Sequence, residues 1–202
     1  MKTVIHFLLD ETGSMSSCRE ETIKGFNKYI DKLREQDIDI TVTKFNSDKV
    51  EVVCNNVGID TVPKLSPKNY VPSSCTPLFD AIADSIGRTE EILTKFRKNV
   101  RILFVILTDG LENDSKRYTR TQVLDMIKSK EKKGWTIVYM GANQDAYAES
   151  GAIGVYYNNA VNFNTAKMGA TFSNLVACTQ SFTAGEDKST EDFFKEWKTD
   201  NN

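Results

Sequence analysis

The run Ile102-Leu103-Phe104-Val105-Ile106-Leu107 constrains the chain more than any other stretch, because every position in it is apolar. A strand sends successive side chains to opposite faces, so an unbroken apolar run that ends in turn residues belongs to a strand covered on both sides. Such a strand lies in the middle of a sheet with helices packed above and below. A second run, Val4-Ile5-His6-Phe7-Leu8-Leu9, has the same character and is interrupted by the single histidine of the chain. His6 has no second imidazole to work with, so packing is its expected role rather than catalysis.

Helical periodicities separate the apolar runs. Across residues 17–36, Ile23, Phe26, Ile30 and Leu33 recur at three- and four-residue steps, the mark of an amphipathic helix. Leu78, Ile82, Ile86, Leu93 and Phe96 repeat the pattern. Val123, Leu124 and Ile127 mark a third helix, ended by Lys132-Lys133-Gly134. A short helix follows over 146–152, and Met168, Phe172, Leu175, Val176 and Phe182 form a closing one. Ile38, Ile40 and Val42 alternate with Asp39, Thr41 and Thr43, a half-covered strand, and 50–54 is its short hairpin partner at the sheet edge. Strands at 135–140 and 155–163 complete the set, the latter at the other edge. The prediction is an α/β fold: a Rossmann-like, doubly wound, mostly parallel six-stranded sheet with one short antiparallel edge strand. Right-handed crossovers put helices on both of its faces.

The chain has 202 residues and 40% hydrophobic content, which suits one domain, taken as 1–184, with a polar tail over 185–202. Phe193, Phe194 and Trp197 give that tail one apolar face for a short docked helix. Residues 55–75 hold three of the four prolines without a clear period and read as a long surface connection. Basic and acidic residues number 26 and 28, a net charge of −2, which supplies no electrostatic reason for a nucleic-acid partner. The N-terminal apolar run is too short to span a membrane and lacks a cleavage region. Cys18, Cys54, Cys75 and Cys178 stand far apart with no C-x-x-C pair, against a zinc site or a disulfide framework. The expected setting is the reducing cytoplasm.

Both buried runs end in aspartate, at Leu8-Leu9-Asp10 and at Ile106-Leu107-Thr108-Asp109. Open α/β sheets bind ligands at the carboxyl ends of their strands, especially where the strand order reverses. In Asp10-Glu11-Thr12-Gly13-Ser14, oxygen side chains occupy positions one, three and five of a loop tightened by Gly13. Carboxylates with hydroxyls, and neither His nor Cys, make a hard oxygen site suited to magnesium or manganese. Read alone, each segment has a structural alternative. Asp10, Thr12 or Ser14 could cap a helix, Thr76-Pro77 is an ordinary helix start, and Asp109-Gly110 could be a turn.

Together, Asp10-Glu11-Thr12-Gly13-Ser14-Met15, Cys75-Thr76-Pro77-Leu78-Phe79-Asp80-Ala81-Ile82 and Leu107-Thr108-Asp109-Gly110 resemble the three parts of the metal-ion-dependent adhesion site of von Willebrand factor A-type domains. The parts occur in the right order, and the pattern covers roughly residues 3 to 183. Gly141-Ala142-Asn143-Gln144-Asp145 further resembles small stand-alone bacterial and phage members. The resemblance implies direct metal ligation by Thr12 and Ser14, direct or water-mediated ligation by Thr76 depending on state, and action largely through water by Asp10 and Asp109. Thr12 stands where many members have Ser, and Cys75 where Gly is common. It implies a binding module and no enzyme: the cation, Mg2+ or Mn2+, completes its coordination with an Asp or Glu of a partner protein. An AAA+ ATPase is one candidate partner, since some members work with such ATPases. Glu11, Asn143, Gln144 and Asp145 are the expected partner-binding rim.

The rival reading is a magnesium-dependent phosphotransfer enzyme. Asp10-Glu11-Thr12-Gly13-Ser14 also resembles the nucleophile motif of haloacid dehalogenase-like phosphatases, with Asp10 as the residue phosphorylated. The segment after Cys75 has no place in that scheme. Nucleotide binding on a Rossmann fold fails for want of a glycine-rich phosphate loop after any strand.

Overall fold

The computed structural model describes residues 1–96, 99–142, 146–164, 167–185, 190–195 and 198. In chain order the elements are β1 (Thr3–Asp10), α1 (Arg19–Leu33), β2 (Ile38–Phe45), β3 (Val50–Gly58), α2 (Leu78–Leu93), β4 (Arg101–Thr108), α3 (Arg120–Glu131), β5 (Trp135–Ala142), α4 (Ala146–Ala152), β6 (Ala160–Phe163) and α5 (Met168–Ala184). They form one six-stranded sheet in the order β3-β2-β1-β4-β5-β6, in which only β3 runs antiparallel to its neighbour. The chain winds outward from β1 to β2 and β3, then returns to the far side of β1 as β4. The strand order therefore reverses between β1 and β4.

The two apolar runs feed both faces, as period-two geometry demands. Ile5, Phe7 and Leu9 of β1, with Leu103, Val105 and Leu107 of β4, pack against Phe26, Tyr29 and Ile30 of α1 and Phe172 and Leu175 of α5. Leu8, Phe104 and Ile106 face the other way, against Ile82 and Ile86 of α2 and Val123 and Ile127 of α3. Helices α1 and α5 touch through Gly25, where a Cβ would stand 2.1 Å from a ring carbon of Phe172.

His6 lies within β1, fully buried. Thr89 gives its own hydroxyl proton to the carbonyl of Ser85 (2.8 Å), so it can only accept from Nδ1–H of His6 (2.8 Å). Nε2 is then the acceptor of the Thr43 hydroxyl at 3.0 Å. Burial foremost, with Arg88 nearby, drives the ring pKa down to about 3 and keeps it neutral.

Both edges differ from expectation. β3 is nine residues long rather than a short strand over 50–54. Register shifts along β2 and a positive φ at Asn56 let pairing continue to Gly58, with the Asn56 amide donating to the Thr41 hydroxyl at 2.9 Å. Thr41 and Thr43 are thus buried and hydrogen-bonded, and β2 is covered on both faces rather than half-covered. At the other edge the strand expected over 155–163 shrinks to Ala160–Phe163, because Tyr157–Asn159 turn as a 3-10 helix. Asn159 there receives the tail: its side-chain oxygen accepts from the Phe193 amide (2.9 Å), and its amide donates to the carbonyl of Thr190 (2.6 Å). Phe193 and Phe194 are buried in the core of the α1–α5 side. Trp197 lies outside the described residues.

The long connection after β3 is not a loose loop. Ile59, Val62, Leu65 and Tyr70 are buried, and Asn27 of α1 exchanges two hydrogen bonds with Leu65, both 2.9 Å. Cys18, Cys54 and Cys75 are free thiols. Among the described residues no helix is long and apolar enough to cross a membrane.

Candidate metal centre

The carboxyl ends of β1 and β4 meet where the strand order reverses. Leu8 pairs with Ile106 and Leu9 with Leu107, so one step further the same register brings Asp10 to Thr108. The Thr108 hydroxyl donates to Asp10 Oδ2 at 2.6 Å, and the Thr12 amide donates to Asp10 Oδ1 at 2.7 Å. Both carboxylate oxygens therefore accept a hydrogen bond, and the side chain is fully buried. Thr12 and Ser14 follow with their hydroxyl oxygens 3.2 Å apart, and Ser14 donates to Asp109 Oδ1 at 2.6 Å. Thr12 precedes the 3-10 turn Gly13–Cys18 without capping it.

Thr76 joins from the loop before α2. It is 3% exposed and does not cap the helix, since α2 starts after Pro77, whose backbone is non-helical. Gly110 shows how close the segments come. A Cβ at that position would stand 3.0 Å from Thr76 Oγ1 and 3.3 Å from Ser14 Oγ. Asp10, Thr12, Ser14, Thr76 and Asp109 thus converge from three segments, with Gly110 leaving open the space that a side chain would fill.

The electrostatics are those of a site short of positive charge. Burial pushes Asp10 up to about 6, against the pull of the hydrogen bonds from Thr108 and Thr12, with Asp109 raising it further. Burial also raises Asp109, opposed by Ser14. Neither carboxylate has a basic partner within salt-bridge distance among the described residues. No group of three or more His, Cys, Asp and Glu side chains is placed to hold a metal among them either, so a cation here would rest on hydroxyls backed by two carboxylates. Three hydroxyl oxygens, two desolvated carboxylates and the missing Cβ of Gly110 fit a small, hard divalent cation.

Of the expected rim, Asn143, Gln144 and Asp145 lie outside the described residues. Glu11 does not belong to the rim. It is 1% exposed, and its Oε1 accepts from Lys44 Nζ (3.1 Å) and from the amide of Val71 (2.7 Å). The strand direction explains this: Glu11 follows Asp10 at odd parity and turns to the opposite side, where Lys44 of β2 meets it. Its part is to hold the segment whose Ser74 carbonyl receives the Gly13 amide at 3.0 Å.

The supporting roles of several residues escaped the sequence reading. Tyr70 is fully buried and donates its hydroxyl to the carbonyl of Asp10 at 2.6 Å. Glu112 accepts from the amides of Asp114 (2.9 Å), Ser115 (2.7 Å) and Phe79 (2.8 Å). Asp80 accepts from the amides of Lys116 (2.9 Å), Arg117 (3.1 Å) and Tyr118 (2.9 Å). Only Thr108, beside Asp109, carried a visible signal, as a hydroxyl at the end of a buried strand.

The structure thus presents an open α/β sheet with a hydroxyl–carboxylate cluster at its switch point. Solved structures share this fold. The von Willebrand factor domain of the pilus tip protein Mfa5 from Porphyromonas gingivalis superposes with a TM-score of 0.68 at 9% identity, over 93% of this chain and 97% of that one. Proximal thread matrix protein 1 of the mussel byssus, with a zinc-occupied metal-ion-dependent adhesion site, gives 0.65 at 12% identity, over 87% of this chain and 47% of that one. Manganese-loaded TRAP protein of Plasmodium vivax gives 0.61 at 14%, over 84% and 71%. This chain spans about half the length of the mussel protein. No protein-family model and no curated protein sequence matches it. The chain has the von Willebrand factor A-type fold.

Proposed function

We propose that the domain is a divalent-cation-dependent protein-binding module whose cation sits on Thr12, Ser14 and Thr76, backed by Asp10 and Asp109, and that a partner carboxylate completes the coordination. The observation that carries this reading is the convergence around Gly110 of three hydroxyls, the buried Asp10 and the half-buried Asp109, with no basic partner for either carboxylate among the described residues. Metal-bearing structures of the same fold, one with zinc and one with manganese, support it.

When bound, magnesium or manganese would supply a hard, water-retaining Lewis acid. The residues do the rest. Thr12, Ser14 and Thr76 present neutral oxygens, so positive charge is left to attract an acidic side chain. Asp109 fixes the Ser14 hydroxyl, and Asp10, held by Thr108 and the Thr12 amide, supplies negative charge without leaving its buried position. Ser14 is exposed, which gives a partner access from the rim. The full burial of Asp10, and the presence beside it of Thr76, which has no place in that scheme, weigh against the aspartyl-phosphate alternative. A cytoplasmic setting and an AAA+ ATPase partner remain parts of the proposal.

The test starts with metal-stripped protein. Mg2+ or Mn2+ at 100 times its Kd adds about 2.7 kcal/mol of stability. For a chain of this size that raises Tm by about 5–10 °C. A partner captured from native host extract should then bind with Mg2+ and be lost with EDTA, with Thr76→Ala and with Asp109→Ala. A Tm indifferent to millimolar Mg2+ and Mn2+, or equal partner affinity in all four conditions, overturns the proposal.

A further inference from the structure

Thr76 is the only hydroxyl of the cluster that does not come from the loop after β1, and its position is the hardest to explain locally. The segment before it, 62–75, has no regular structure, and the helix after it begins only at Leu78. Within its own stretch of chain Pro77 restricts the Thr76 backbone, and the Cys75 carbonyl just before it accepts from the Ser47 amide at 3.2 Å, but neither holds the polar groups of Thr76 itself. Those groups are held from across the site, out of the loop that follows Asp109. The Thr76 amide donates to Asn113 Oδ1 at 2.8 Å, and the Asn113 amide donates back to the Thr76 carbonyl at 3.1 Å. One residue thus takes up both backbone polar groups of Thr76.

The loop that carries Asn113 is itself tied to the first turn of α2. Glu112 accepts from the Phe79 amide, and Asp80 accepts from three successive amides, 116 to 118. Ser115 receives the Asp80 amide at 3.1 Å. The loop after β4 and the start of α2 therefore form one laced unit, with Asn113 as its contact to Thr76. Asp109 begins the loop that holds Thr76, so the two are set by the same piece of chain.

We infer that Asn113 is the positioning residue for Thr76, holding its hydroxyl toward the space beside Gly110 and so tuning cation affinity without touching the cation. The inference rests on the metal-site reading above. Asn113 is exposed, so shortening it opens no core cavity. Its backbone amide still reaches Thr76 in any variant, and only the side-chain acceptor is lost. Groups that orient ligands from outside typically contribute about 10–100-fold in metal affinity when removed.

The experiment is Mn2+ titration of the metal-stripped domain, followed by calorimetry, with apo-state Tm measured in parallel. Asn113→Ala should bind Mn2+ about tenfold more weakly at nearly unchanged apo Tm. Asn113→Asp, which keeps the acceptor in place, should retain at least the affinity of the native protein. In a Thr76→Ala background Asn113→Ala should cost less than about twofold more, because its effect passes through the missing hydroxyl. In the native protein the Thr76 amide should be protected from hydrogen exchange although it lies in a loop, a readout that needs no variant. A native domain without Mn2+ binding defeats the metal reading itself. A native domain that binds while Asn113→Ala binds equally well, a fully additive double variant, or an unprotected Thr76 amide overturns the role of Asn113 alone.

Discussion

Replacing Lys44 by Met tests how the cluster's first loop is held. Lys44 and Glu11 are each 1% exposed, and their charged groups stand 3.1 Å apart. Lys44 Nζ also donates to the carbonyl of Asn69 and lies 3.3 Å from Glu51. Glu11 Oε1 accepts from the Val71 amide as well, while Glu11 Oε2 has no hydrogen bond and only Lys49 near it, at 3.5 Å. Removing one member of a buried pair typically costs about 3–5 kcal/mol, because the other charge stays buried. Lys49 is half-exposed and can move toward Glu11, which places the expected loss at the lower end, about 3 kcal/mol. With a urea m-value of about 2 kcal/mol/M, the midpoint falls by about 1.5 M at unchanged slope. Adding Glu11→Gln, which removes the stranded charge and keeps an acceptor for Val71, should recover at least about 1 kcal/mol. The assay is urea unfolding followed by circular dichroism for the native protein, both single variants and the double. A Lys44→Met variant within about 1 kcal/mol of native, or a double variant no more stable than that single, refutes the argument.

Three further outcomes follow from close contacts and burial. Gly25→Ala puts a methyl 2.1 Å from the Phe172 ring, so overpacking of about 1–3 kcal/mol should outweigh the gain in helix propensity of up to about 1 kcal/mol; an unchanged or higher Tm contradicts this. Gly110→Ala crowds Thr76 and Ser14 and should weaken Mn2+ binding about tenfold with little change in apo stability; titration giving native affinity contradicts it. His6 has a folded pKa of about 3 against an ordinary 6.5, so between these values the unfolded chain binds the extra proton and stability falls as pH falls. From pH 7.5 to 5 that costs about 2 kcal/mol, and His6→Gln should lack this increment; parallel stability–pH curves for the two proteins refute it.

What the sequence disclosed, and what it withheld, divides along the range of the interactions. Burial on both faces is written into consecutive letters at 4–9 and 102–107, so the central strands and the topological switch point were legible. The three oxygen-bearing segments were legible too, because each sits at the end of such a strand or at a helix start. Edges were not. β3 gains its length from a bulge that only its pairing with β2 defines, and β6 loses length to a turn stabilised by residues of the tail. Glu11 was misread for the same reason: next to Asp10 in sequence it resembles a rim residue, and only Lys44, 33 positions away, shows that it is buried. Asn113, Glu112 and Asp80 look like ordinary loop and helix-start residues until the loop after β4 is folded onto α2.

The contrast between neighbouring carboxylates bears on why the cluster is built as it is. Glu11, one residue from the site, is neutralised by a lysine of the protein itself. Asp80 and Glu112 are satisfied by rows of backbone amides. Asp10 receives the Thr108 hydroxyl and the Thr12 amide, Asp109 the Ser14 hydroxyl and its own backbone, and burial raises the pKa of both. At this end of the sheet Glu11, Asp80 and Glu112 are each neutralised or satisfied by the protein itself, and the pair at the switch point is not, among the described residues. A fixed lysine there would quench the two charges and occupy the space beside Gly110. A cation drawn from solution quenches them too, yet it keeps waters that a partner carboxylate can replace. On the function proposed, the unneutralised pair is the feature that would separate a site completed from outside from one that only holds the fold together.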